Sequence, residues 1–116
     1  MSELMNNISL PHINSATEEV IQAEFENLKS IVLGFQSKLE YDYEVGITLV
    51  SFGEVTTMHV VKITYVKPDI FVFDGYVNGS RSVLVQHHSQ LNLLLCAVLK
   101  PDLLKPPNRI GFDINS

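Results

Sequence analysis

Asn78-Gly79 constrains this chain of 116 residues more than any other feature. Both residues tolerate the positive φ of a two-residue type I′ turn, and β-branched and aromatic residues flank them, so residues 70–77 and 81–87 have one ready solution, a tight antiparallel hairpin. Ahead of it, similar residues fill 45–52 and 55–66, joined at Gly53-Glu54, and Pro68 ends the second run. Four such segments with short joins predict an antiparallel meander.

In front of the sheet lies a helical period. Ile21, Phe25, Leu28, Val32, Phe35 and Leu39 recur at alternating steps of four and three, with Glu19, Glu24, Glu26, Lys29 and Lys38 elsewhere on the wheel. Ser15-Ala16-Thr17-Glu18 has capping-box spacing, which predicts a helix opening there. Residues 1–14 show no period and read as a flexible arm. Beyond the meander, Ser89 can cap a second helix in which Leu91, Leu94, Leu95, Val98 and Leu99 share a face. Leu93, Cys96 and Ala97 leave that helix little polar surface, so it should be buried. Pro101 stops it, Pro106 and Pro107 stiffen the exit, and 109–112 can add a short edge strand. The expected fold is α+β: an N-terminal amphipathic helix, a four-strand antiparallel meander, a buried C-terminal helix and a short C-terminal edge strand, forming one domain over 15–116.

With two-residue turns, Val45, Ile47, Leu49, Met58 and Val60 share one face, opposite Val50, Phe52, Val55, Val61 and Ile63. In the second hairpin Phe71, Phe73 and Leu84 oppose Ile70, Val72, Val83 and Val85. Both faces are apolar. A face that no helix covers is an association surface, so a homo-oligomer is expected.

An apolar content of 46% supports a real core, and the length leaves no room for a second domain. A net charge of −5 with eight Lys and Arg argues against direct nucleic-acid binding, which needs clustered cations. Cys96 is the single cysteine, so neither an internal disulfide nor a cysteine zinc site can form. The first residues lack the charged start and apolar core expected of a signal peptide, and the apolar run 91–99 is too short for a bilayer. The expectation is a cytoplasmic protein without membrane contact.

The segment Gln86-His87-His88-Ser89-Gln90, where the fourth strand meets the expected helix, gathers the most chemistry. Backbone N–H groups and polar side chains at such a junction can hold a small anion or nucleotide. The commoner outcome is a cap and turn whose polar groups satisfy one another. His87 and His88 on one strand point to opposite faces, so a metal site is not expected. Asp74, His87 and nearby serines have the composition of a hydrolytic set but no nucleophile elbow or paired-carboxylate motif, which ranks a small hydrolase last. Arg81, opposite Tyr76 and two positions from Asp74 on one face, and Arg109, after Pro107-Asn108, can clamp a phosphate or carboxylate; a salt bridge to Asp74 or Glu44 is the commoner use.

The runs Tyr43-Glu44-Val45-Gly46, Ser51-Phe52-Gly53, Tyr65 to Pro68, Phe73 to Gly75, Gln86-His87 with Ser89-Gln90, Leu93-Leu94-Leu95, and Lys105-Pro106 to Arg109-Ile110-Gly111-Phe112, in that order, resemble a family of small bacterial and phage proteins of unknown function. The resemblance covers about 41–112. It implies that Gln86, His87, Ser89, Gln90 and Arg109 recur as a set, and it brings no activity; His88 departs from the pattern, where an apolar residue is typical. The ligand-binding set expected is Arg81, Gln86, His87, Ser89, Gln90, Asn108 and Arg109, with no catalytic residue, metal or cofactor. The functional expectation is a non-enzymatic oligomeric binding protein sequestering a nucleotide-like small molecule, by analogy with phage anti-defence proteins. The alternative is an acidic inhibitor or adaptor of a host protein complex.

Overall fold

In a computed structural model that describes residues 10–51 and 54–115, one helix, α1 (Leu10–Gln36), packs on a six-stranded sheet. The strands are β1 (Tyr43–Ser51), β2 (Glu54–Val66), β3 (Ile70–Val77), β4 (Ser80–His87), β5 (Leu94–Leu99) and β6 (Gly111–Asn115). Their order is β4-β3-β2-β1-β5, every neighbour antiparallel, and β6 pairs in parallel with β2. The meander is therefore as expected, and its second turn has φ of 50° at Asn78 and 81° at Gly79.

α1 begins five residues before the expected cap, so residues 10–14, read from sequence as part of the arm, are helical. The rest of the arm lies outside the described residues. The helix buries Ile21, Phe25 and Val32, with Leu28 and Phe35 packed alongside, as the period predicts. Phe25 stands at the centre: its ring centroid is 5.4 Å from Phe71, 5.8 Å from Tyr65 and 6.2 Å from Phe112, which joins the helix to β2, β3 and β6. Complete burial of such a ring contributes about 1.5–3 kcal/mol.

The first hairpin turns earlier than expected. Ser51 faces Glu54, so Gly46 rather than Thr48 stands opposite His59; Phe52 and Gly53, including the expected turn glycine, lie outside the described residues. The slip is an even number of residues and keeps Val45, Ile47, Met58 and Val60 on their expected face.

A bulge has the larger effect. Regular alternation puts Ile63 opposite Val60, but the β2–β3 register shifts between Val60 and Lys62. The extra residue, Val61, reverses the alternation, so Ile63 and Tyr65 join Met58 and Val60 in the core under α1. Gly75, opposite Val60, makes the bulge possible: a Cβ there would lie 1.9 Å from the carbonyl oxygen of His59.

Among the described residues the expected C-terminal helix does not form. His88–Gln90 makes a single 3-10 turn and Leu94–Leu99 is strand β5, which pairs with the otherwise open edge of β1. The leucine run fits a helical face and a strand equally well, and the open edge decides between them. Gly46 fits this pairing, since a Cβ on it would come within 2.9 Å of Val98 Cγ1. The expected edge strand over 109–112 starts two residues later and binds the C-terminal half of β2, where β1 no longer pairs.

α1 covers one sheet face only. On the other, Val55, Val83, Val85 and Leu94 are between 51% and 68% exposed.

Gly75→Ala should destabilise the fold by about 2 kcal/mol or more, because the clash is with backbone, whereas Gly34→Ala in α1, where a Cβ meets nothing within 4 Å, should stabilise it by up to about 1 kcal/mol. Denaturant melts of the two variants check this pair. A second expectation concerns alkali. Burial, then the charges of Glu18, Asp69 and Glu24, raise the pKa of Tyr65 above its ordinary 10.0. The unfolded chain ionises at the ordinary value, so the contribution of Tyr65 to stability is intact below that pH and is lost as pH rises through the higher folded value. Tyr65→Phe should lower stability at neutral pH, since the Tyr65 hydroxyl donates to the Pro68 carbonyl at 2.8 Å. The variant should also lose less stability than the parent between about pH 9 and about pH 11.

Candidate functional site

The β3–β4 ladder ends with Ile70 opposite His87, and the His88 N–H extends it by donating to the Asp69 carbonyl at 2.9 Å. This brings the β2–β3 turn, the end of β4 and the 3-10 turn into one cluster. Tyr65 holds the turn from below through its bond to Pro68. From α1, Glu24 Oε1 reaches His88 Nδ1 at 2.9 Å.

His87 caps the 3-10 turn. Its Nδ1 accepts from the Ser89 backbone N–H at 3.3 Å and lies 2.7 Å from Ser89 Oγ. A backbone N–H can only donate, so Nδ1 is the unprotonated nitrogen and, in the neutral ring, Nε2 carries the hydrogen. Nε2 lies 3.3 Å from Asp69 Oδ2. The His87 and His88 rings, expected on opposite faces, pack together with centroids 4.7 Å apart, because the strand ends at His87 and the chain turns.

Beside this cluster is a cavity of about 520 Å³. Gln86, Gln90 and Asn92 line it together with Leu49, Leu84 and Leu93, and none of the described lining residues is charged. Gln86 faces the α1 side of the sheet opposite Phe71, and its Oε1 is buried with no hydrogen-bond partner among the described residues. A buried carbonyl left so costs about 1–3 kcal/mol.

The rest of the expected ligand set lies elsewhere. Arg81 is at the start of β4, opposite Tyr76, 3.6 Å from Asp74. Asn108 and Arg109 brace the point where β1 parts from β2. The Asn108 N–H donates to Glu44 Oε2 at 2.7 Å, its side-chain amide to the Val60 carbonyl at 3.1 Å, and Arg109 Nη1 to the Tyr43 carbonyl at 3.0 Å. Glu44, 7% exposed, is completed by His59 Nδ1 at 3.2 Å from Oε1. Gln86, His87, Ser89 and Gln90 thus come together, and Arg81, Asn108 and Arg109 do not join them.

Sequence reasoning missed Asp69, Glu24 and Asn92. Asp69 was within reach: counting outward from Asn78-Gly79 sets residue 69 across from residue 88. Glu24 and Asn92 required the helix placement and the path of the 3-10 turn, which no local pattern gives. Among the described residues no group of three or more His, Cys, Asp or Glu side chains is arranged to hold a metal ion, and no helix is long and apolar enough to cross a membrane.

Comparison with curated proteins and with solved structures finds no match. The model of one protein family matches residues 13–113, spanning most of α1, the whole meander and most of β6, so the chain belongs to the Family of unknown function (DUF6173).

Proposed function

We propose that this chain is a small-ligand-binding protein, and that its ligand is an uncharged, planar, hydrogen-bonding molecule of the nucleobase or nucleoside kind, held in the cavity beside the end of β4. The observation that carries this reading is the buried, unpartnered Oε1 of Gln86 in a residue that lines that cavity. A side-chain amide can turn to present either its acceptor or its donors, so a ligand hydrogen bond repays the burial. Gln90 and Asn92 add further donors and acceptors, and Leu49, Leu84 and Leu93 suit the faces of a flat ring. A volume of about 520 Å³ lies within the usual range of small-molecule sites.

The nucleotide-like ligand expected from sequence narrows accordingly. The arginines that would clamp phosphate are engaged with Asp74 and Tyr43, so the amides favour the base end of such a molecule. Exposed Val83 and Val85 on the sheet face away from α1 support the associated reading that copies of the chain assemble.

Native mass spectrometry of protein purified from cells, before and after mild denaturation, tests both parts. A symmetric oligomer releasing a heterocycle is the expected result, and a bare monomer turns the reading toward a protein partner. Gln86→Leu should weaken binding of the released compound at least about tenfold, equivalent to about 1.4 kcal/mol, while leaving the thermal midpoint equal or higher. Unchanged affinity would remove Gln86 from the site.

A further inference from the structure

The geometry points to a chemical capability at the 3-10 turn next to that cavity: Ser89 is a nucleophile, activated by His87 and positioned through Asp69, that accepts an acyl or phosphonyl group from an uncharged activated ester. This inference does not depend on the ligand read by Gln86.

Three observations carry it. Ser89 Oγ lies 2.7 Å from His87 Nδ1, and the Ser89 backbone N–H on that same nitrogen identifies it as the lone-pair side of the ring. The serine proton therefore has a base to go to. Nε2 lies 3.3 Å from Asp69 Oδ2, so a carboxylate faces the nitrogen that carries the hydrogen and stabilises the imidazolium that forms when Nδ1 is protonated. The hydroxyl group belongs to an exposed residue, and the next residue, Gln90, lines the cavity. The Asp69 found here is not the Asp74 that the hairpin suggests from sequence; Asp74 is opposite Val83 and 3.6 Å from Arg81.

With an ester, Ser89 Oγ forms a bond to the carbonyl carbon as its proton passes to His87 Nδ1. The carbon–oxygen bond to the leaving group then breaks, and the proton leaves with the departing alkoxide. Water, deprotonated by the same nitrogen, cleaves the acyl-serine and restores the hydroxyl. The arrangement also caps a turn, and a cap needs only an acceptor at Nδ1; the Asp69 carboxylate at Nε2 is what a cap alone does not require.

The full chain should be treated with an alkyl fluorophosphonate and followed by intact mass and peptide mapping. The reaction forms the Oγ–P bond, breaks P–F and releases fluoride with the serine proton. One adduct on Ser89 is expected, absent from Ser89→Ala. His87→Asn keeps an acceptor for the Ser89 N–H and so keeps the turn, but removes the base; its labelling rate should fall at least about 100-fold with the thermal midpoint little changed. Asp69→Asn should slow labelling of the folded protein, and Asp69→Glu should restore part of the rate, which a purely structural carboxylate would not do. The inference is overturned by no adduct, by an adduct at another residue, or by Ser89 labelling at the same rate in His87→Asn or in urea.

Discussion

The bulge at Val61 is the constraint from which the rest of the fold follows. β2 is the longest strand and takes partners on both sides, and a single helix must cover its buried face from end to end. Strict alternation would bury Met58 and Val60 in one half and expose Ile63 and Tyr65 in the other. One extra residue restores all four to the same side, beneath Ile21, Phe25 and Val32. The cost falls on β3, which must have a glycine where the bulged backbone approaches it. Tyr65, once turned inward, holds the β2–β3 turn, and that turn carries Asp69 to His87.

The polar groups of the interior obey the same economy at the place where β1 and β2 separate. Glu44 uses one carboxylate oxygen on His59 and the other on the Asn108 backbone, while Asn108 satisfies the Val60 carbonyl beside the bulge. The Ile110 N–H donates to Gln36 Oε1 at the end of α1. Lys100, only 2% exposed, lies 3.2 Å from Asp42 and 4.0 Å from the Tyr41 ring centre, so its charge enters the fold with both an anion and an aromatic face. Among the described residues two buried side-chain atoms make no hydrogen bond: Lys100 Nζ, which has the Asp42 carboxylate beside it, and Gln86 Oε1.

Features encoded in adjacent residues were legible in the sequence, and features that depend on distant partners were not. The Asn78-Gly79 turn, the bounds of β3 and the apolar stripe of α1 follow from backbone preference and periodicity alone. The 94–99 segment misled because its leucines satisfy two periods, and only the free edge of β1 selects the strand. The bulge leaves no local mark except Gly75, whose role emerges once its neighbour across the sheet is known. Gln86, His87, Ser89 and Gln90, which lie together at the end of β4, stood out because polar residues clustered after a strand are unusual; Arg81, Asn108 and Arg109 were chosen by residue type, and their contacts with Asp74, Val60 and Tyr43 depend on partners distant in the chain.

β6 sets the order in which this chain can become complete. β1, β3 and β4 reach their partners through short hairpins, but the half of β2 beyond the bulge has a partner on one side only until Gly111–Asn115 arrives from far along the chain. During synthesis every earlier strand can emerge and pair while that stretch of central strand still presents an open edge to its surroundings. The segment that leads into β6 also carries Asn108, whose backbone N–H is the second partner of Glu44, so the contacts that complete this buried carboxylate and the open half of β2 come from the same late stretch of chain.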